Sequence, residues 1–348
     1  MKYKSNGVDI DAIATYLPPS IREMDSLIPV YGESVVRQTV KGSGIHRLRV
    51  ADKDQTSSDM CYEAAEYLLQ KEQIDRGEID GLVMISQSFD YMGPASSIIL
   101  QDRLKLSQDT VCFDIIYGCS GYIYGIYQAA MMIESGSCKK VLLVNGETNT
   151  RLMDDSVKDQ VMVFGDCATA TLLSKGSSEL AINIYSDGSR HRSVLNLVNG
   201  FRTPILIRNN EIPIKADGEP VAATNDGMAV FDFIIHEGVD SIKTMLEYIG
   251  WEKDAVDFYA LHQATEVTLG FVRKRLKLSK EQAPFYLQNY GNTSSTTIPL
   301  VISTYAHEKQ IDTSKWDRVL MAGFGIGLSW GTIACDLSST RIYEPINK

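Results

Sequence analysis

The feature that most restricts how this 348-residue chain can fold is a local pattern that occurs twice. In the first half, Phe113-Asp-Ile-Ile-Tyr-Gly-Cys-Ser120 is followed by a helical stretch and then by Lys140-Val-Leu-Leu-Val-Asn-Gly146. In the second half, Tyr286-Leu-Gln-Asn-Tyr-Gly-Asn-Thr293 is followed by a helical stretch and then by Arg318-Val-Leu-Met-Ala-Gly-Phe324. Upstream, Ile79-Asp-Gly-Leu-Val-Met-Ile-Ser-Gln87 matches Val256-Asp-Phe-Tyr-Ala-Leu-His-Gln263. The runs are short, apolar and bounded by polar residues, as buried strands are. Each half therefore reads as strand–helix–strand units in series, which implies an α/β fold of alternating helix and sheet layers.

No linker or low-complexity segment divides the chain, so the duplication sets the halves. The spacing predicts an N-terminal half over residues 1–177 and a C-terminal half over 178–348, with the join near Lys175–Ser178, before the strand-like Leu180-Ala-Ile-Asn-Ile-Tyr185. With 44% hydrophobic residues, a chain of this length can bury one large core or two fused ones. Six cysteines without a C-x-x-C pair make a zinc cage or a thioredoxin-type redox motif unexpected. The start, Met1-Lys-Tyr-Lys-Ser-Asn-Gly-Val-Asp-Ile10, shows no secretory pattern, and the apolar run from Tyr122 to Ile133 is too short for a membrane span. These features point to the cytoplasm, where thiols stay reduced. A net charge of −10 argues against binding nucleic acid through an overall field.

Three residues could carry chemistry. Cys119 falls at a strand-to-helix turn between Gly118 and Gly121. Unpaired N–H groups at a helix N-terminus lower a thiol pKa and can hold an oxyanion. Local context leaves a small buried core residue equally open. Cys112, Cys167 and Cys335 lie in apolar strand-like runs and read as core. His262 ends a strand and faces the loop layer where α/β sites form, although a lone histidine fits a structural role at least as well. Asn292 holds the repeat position of Cys119, where its amide could donate to an enolate oxygen or simply cap a helix. Gly323-Phe-Gly-Ile-Gly-Leu-Ser-Trp-Gly331 runs from strand into strand, so it is no dinucleotide fingerprint.

Taken in order, these segments resemble ketoacyl-ACP synthase III, a family of thiolase-fold condensing enzymes. The resemblance covers nearly the whole chain and includes Ser43-Gly-Ile45, Thr56-Ser-Ser-Asp59, Gly118-Cys-Ser-Gly121, Phe164-Gly-Asp166, His262-Gln-Ala264, Tyr290-Gly-Asn-Thr-Ser294 and the Gly323–Gly331 loop. It implies that Cys119 is acylated by an acyl-CoA or acyl-ACP thioester. His262 and Asn292 would then hold the thioester oxygen of malonyl-ACP during decarboxylation. The backbone N–H groups of Cys119 and Ile326 would form the oxyanion hole. It further implies a homodimer, an acyl carrier protein as partner, and no metal or redox cofactor, because thioesters supply the activation.

Several positions depart from the family pattern. Gln38 and Gly42 stand where a tryptophan and an arginine usually grip the coenzyme A nucleotide, with Arg37 and Lys41 beside them. Arg151 matches another nucleotide-contacting arginine. Gly93, before Pro94, stands where short-primer members carry a bulky residue that closes the partner's acyl pocket, so medium, long or branched acyl groups are expected over acetyl. On the helix after His262, Arg273, Lys274, Arg275 and Lys277 are expected to face outward for a carrier protein, opposite the apolar Leu269, Val272 and Leu276. Two other readings stay open: an acyltransferase that passes the acyl group to an alcohol or amine, and a non-catalytic binding subunit.

Overall fold

The computed structural model describes residues 1–152, 158–196 and 223–347. Nine strands form one hydrogen-bonded sheet. In the first half these are β1 (Lys2–Tyr16), β2 (Gly81–Ser86), β3 (Val111–Ile116), β4 (Lys140–Glu147) and β5 (Cys167–Ser186). In the second they are β6 (Phe258–Leu261), β7 (Val319–Gly325), β8 (Ser329–Cys335) and the short β9 (Arg341–Ile342). The helices that matter here are α1 (Glu33–Ser43), α2 (Ser57–Lys71), α3 (Ser96–Arg103), α4 (Gly121–Glu134), α5 (Asn149–Leu152) and α6 (Lys158–Val161). They continue with α7 (Gly227–Phe233), α8 (Val239–Ile249), α9 (Glu266–Leu276) and α10 (Thr297–Glu308).

The duplication is visible in the pairing. β2 and β4 are parallel, and β4 and β5 antiparallel. Their counterparts repeat this: β6 and β7 are parallel, and β7 and β8 antiparallel. The repeat is incomplete, because β3 pairs with β2 while residues 284–290 form no strand; an isolated bridge between Phe164 and Asn292 follows them.

Side chains alternate across each strand, so every strand feeds two apolar layers. Val83 and Ile85 of β2 and Val141 and Leu143 of β4 face a central cluster with Ile123 and Ile126 of α4 and Ile298 and Ile302 of α10. Phe258 of β6 and Met321 of β7 close it from the other side. Their neighbours Leu82, Met84, Leu142 and Val144 face outward onto Met60, Ala64 and Leu68 of α2. Tyr259, Leu261, Leu320 and Ala322 face outward onto Ile242 and Met245 of α8 and Leu269 and Val272 of α9. Helix, sheet, helix, sheet and helix therefore alternate, the layering that the sequence and its family resemblance imply.

The join expected near Lys175–Ser178 falls inside β5, which runs on from Cys167 to Ser186. Its first part pairs with β4 and its last part with β8. β1 accompanies it along the other edge, with a register shift between Asn6/Glu179 and Val8/Lys175. The halves thus meet at a bulge in a shared strand.

Candidate active site

Cys119 sits between β3 and α4, as its sequence context predicts. The turn is clamped by the backbone bond from Gly121 N to Gly118 O at 2.7 Å and by Ser120 Oγ against Ser329 Oγ at 2.7 Å. Gly325, at the end of β7, lies against it: a Cβ there would stand 2.9 Å from Cys119 Cβ and 3.1 Å from Cys119 N. Only glycine lets the second half approach the nucleophile this closely.

His262 follows β6 and is held by its backbone N–H, which donates to Ala322 O at 2.7 Å. Its Nδ1 lies 2.6 Å from Thr297 Oγ1, which in turn lies 3.1 Å from Ser294 O. The threonine has one hydroxyl proton. Donated to Ser294 O, it leaves Nδ1 protonated; donated to Nδ1, it leaves the proton on Nε2, the tautomer that can donate to a substrate oxygen. Asn292 is fixed by its N–H donating to Val163 O at 2.8 Å and its carbonyl accepting from Gly165 N at 3.1 Å. Its Oδ1 accepts from Ser294 N at 2.9 Å. The local turn bond and the catalytic reading are therefore compatible, since the bond uses Oδ1 and leaves Nδ2 as the donor end.

Cys119, His262 and Asn292 line one cavity of about 270 Å³. Its walls are mainly apolar, including Leu152, Val163, Phe164, Val230, Phe231 and Phe324. Burial pushes the Cys119 thiol up to about 12, and the nearby Glu147 carboxyl adds to this, while a contact with Ser294 Oγ at 3.9 Å opposes it. Desolvation thus acts against the lowering of the thiol pKa expected from the helix N-terminus. Burial also drives His262 down to about 3, so its imidazole is neutral. Behind the site, burial raises Glu147 to about 8; its carboxylate accepts from Gln87 N at 3.2 Å and Ser295 Oγ at 3.2 Å.

The expected peripheral residues are placed less uniformly. Ile326 lines the cavity beside Gly325. Arg151 is exposed on α5, between the cavity-lining Asn149 and Leu152, and donates to Gln55 O at 2.9 Å. Lys41 is exposed in the last turn of α1. Arg37 is exposed and pairs with Asp25 at 2.6 Å and Glu33 at 3.7 Å. Gly93 lies on an exposed turn outside the cavity of its own chain. Lys274, Arg275 and Lys277 are exposed. Arg273 is not: it is buried, donates to Ala283 O at 3.1 Å and pairs with Glu266 at 2.5 Å, so it leaves the proposed docking face. Sequence reasoning also missed Gln87, Asn149, Gln160, Ser294 and Thr297, whose roles depend on contacts remote in the chain.

Residues 113–188 match the family described as 3-Oxoacyl-[acyl-carrier-protein (ACP)] synthase III, and residues 246–337 match its C-terminal part. The beta-ketoacyl-[acyl-carrier-protein] synthase III of Streptococcus sanguinis is 30% identical over 94% of this chain and 98% of its own length. That of Streptococcus gordonii is 28% identical over 93% and 97%. The crystal structure of a 3-oxoacyl-(acyl-carrier protein) synthase from Burkholderia xenovorans superimposes with a TM-score of 0.92 at 29% identity, covering 100% of this chain and 99% of that one. The fold and these relatives define a thiolase-fold condensing enzyme, a transferase. Within that class the chain belongs to the 3-oxoacyl-ACP synthase III family.

Proposed function

We propose that the protein loads an acyl group onto Cys119 and condenses it with malonyl-ACP to give a 3-oxoacyl-ACP. The observation that carries this is the convergence of Cys119, His262 and the free Nδ2 end of Asn292 on one apolar-walled cavity. In the first half-reaction the Cys119 sulfur attacks the thioester carbonyl, the donor's C–S bond breaks, and the thiol proton leaves with the released thiol. The N–H groups of Cys119 and Ile326 are assigned to the oxyanion of this step. In the second, the malonyl C–C bond to its carboxylate breaks and carbon dioxide leaves. The electron pair moves toward the thioester oxygen, held by His262 Nε2–H and Asn292 Nδ2. The resulting carbanion attacks the acyl carbonyl and expels the Cys119 sulfur as a thiolate, which takes a proton from solvent to restore the thiol. The reading needs no metal or redox cofactor, since both substrates arrive as thioesters.

An acyl carrier protein is the assigned partner. Support comes from the exposed Lys274, Arg275 and Lys277 at the end of α9, whose first turn lines the cavity through Thr268. A homodimer is supported by β3, which forms one end of the main strand order and exposes Phe113 and Ile116; Tyr91, Met92 and Ile98 are exposed in the same half. No described helix is long and apolar enough to cross a membrane. We assign a cytoplasmic location on the six free cysteines, thiols that a reducing compartment keeps unpaired.

The test is intact-mass analysis after incubation with acyl-CoA and acyl-ACP donors, followed by measured release of carbon dioxide from malonyl-ACP. An acyl adduct lost in Cys119→Ala, together with carbon dioxide release, is the expected result. An adduct that persists in Cys119→Ala, or transfer to an amine or alcohol without carbon dioxide, overturns it.

A further inference from the structure

The wall formed by α5, α6 and the turn after them is apolar in general character, yet it carries two buried carboxamides. Gln160 is 5% exposed and Asn149 is 3% exposed, and both line the cavity that holds Cys119. Oε1 of Gln160 is buried with no hydrogen-bond partner among the described residues. Asn149 donates through Nδ2 to Gly165 O at 3.3 Å, which leaves its Oδ1 as an acceptor. The segment is rigidly tied to the chemistry. Gln160 O accepts from Val163 N and Phe164 N at 3.0 and 3.1 Å, and Val163 O accepts from Asn292 N at 2.8 Å. Gln160 thus stands about one helical turn from the residue that anchors Asn292.

A buried amide left unpaired is costly, so a wall meant only for hydrocarbon would not carry one. Leu152, Val163 and Phe164 around the pair suit an alkyl chain, and the acyl group is assigned to this wall. Oε1 of Gln160 asks for a donor. A hydroxyl is a small substituent that supplies one.

Resting on the condensing-enzyme reading above, we propose that Gln160, with Asn149, recognises a hydroxyl on the acyl chain, so that the preferred primer is a hydroxyacyl thioester. The hydroxyl takes no part in bond making. Loading remains thioester exchange at Cys119, with the donor thiol carrying away the proton.

The experiment measures kcat/KM for acylation of Cys119 in the full-length protein by octanoyl thioesters on one pantetheine carrier. The panel comprises the unsubstituted chain and isomers hydroxylated at successive carbons, tested on wild type and Gln160→Leu. One or more hydroxy isomers are expected to load roughly twofold to tenfold faster than octanoyl, the equivalent of one net buried hydrogen bond, with Gln160→Leu removing the preference. The inference is overturned if no isomer exceeds octanoyl in wild type, a comparison that needs no folded variant. It is also overturned if Gln160→Leu slows every acyl group by the same factor, which would put the carboxamide against the shared pantetheine arm. Failure of every thioester to load Cys119 would instead refute the condensing-enzyme reading, and this inference with it.

Discussion

Replacing Gly325 by alanine adds one methyl group where the two halves of the molecule press together at the nucleophile. The new Cβ would lie 2.9 Å from Cys119 Cβ and 3.1 Å from the backbone nitrogens of Cys119 and Ser120. Carbon atoms rest at about 3.5–4.0 Å, so the β7 end and the Cys119 turn must part by roughly 0.5–1 Å. Neither partner can swing aside, because each contact is to backbone or to a Cβ fixed by backbone. A displacement of that size from attack geometry costs roughly tenfold to a hundredfold in rate. That corresponds to about 1.4–2.7 kcal/mol in the barrier. Overpacking also lowers stability, by about 1–3 kcal/mol. The two effects separate cleanly: acyl-adduct formation is timed by quenched intact-mass analysis well below the Tm, and the Tm is measured alongside. Gly325→Ala is expected to be folded and slow. A variant that acylates at the wild-type rate would refute the claim that this contact sets the position of Cys119 and its oxyanion donors.

The buried, raised thiol makes a pH prediction: alkylation of Cys119 by iodoacetamide should keep rising with pH through the alkaline range, because the reactive thiolate forms only as pH approaches about 12; a plateau near neutral pH would contradict it. His262→Ala and Asn292→Ala should still accept an acyl group on Cys119 yet fail to release carbon dioxide from malonyl-ACP, as followed by adduct mass and carbon dioxide capture; loss of acylation with retained release would reverse their roles. Lys274→Glu with Arg275→Glu should raise KM for malonyl-ACP steeply at low salt and less at high salt, whereas Arg273→Ala should lower stability by about 2–3 kcal/mol in denaturant titrations, since it strips a buried partner from Glu266 and Ala283 O. Gly93→Phe should shift acylation toward acetyl when kcat/KM is compared from acetyl to dodecanoyl donors; an unchanged profile would show that this turn does not bound the pocket.

Periodicity and turn chemistry made much of this molecule legible. Short apolar runs placed β2, β4, β6 and β7, and Gly118 with Gly121 marked the turn that presents Cys119. Periodicity also contained the correction to the docking face. Arg273 lies four residues after Leu269, so it shares the apolar face of α9, where its charge is met by Glu266. The thiol environment was not legible, because the helix N-terminus is a local feature and desolvation is a sum over distant elements. The partners of His262 and Asn292 lie at Thr297 and Val163, and Gln160 reaches the cavity only through the tertiary fold. The missing counterpart of β3 was hidden for a related reason. Residues 284–290 keep an apolar, strand-like composition without joining the sheet.

The shared strand β5 and its companion β1 also govern how this chain can be made. β1 lies far ahead of β5 and β9 in the sequence, yet it pairs with β5 and, at Ala12 and Ile13, with Arg341 and Ile342 of β9. A nascent first half would present the far part of β5 as an unpaired edge until β8 arrives to cover it. Contacts this remote in sequence make folding slow and late, and leave intermediates exposed to self-association. Cutting the chain between residues 177 and 178 would therefore yield two sticky fragments in place of two independent domains.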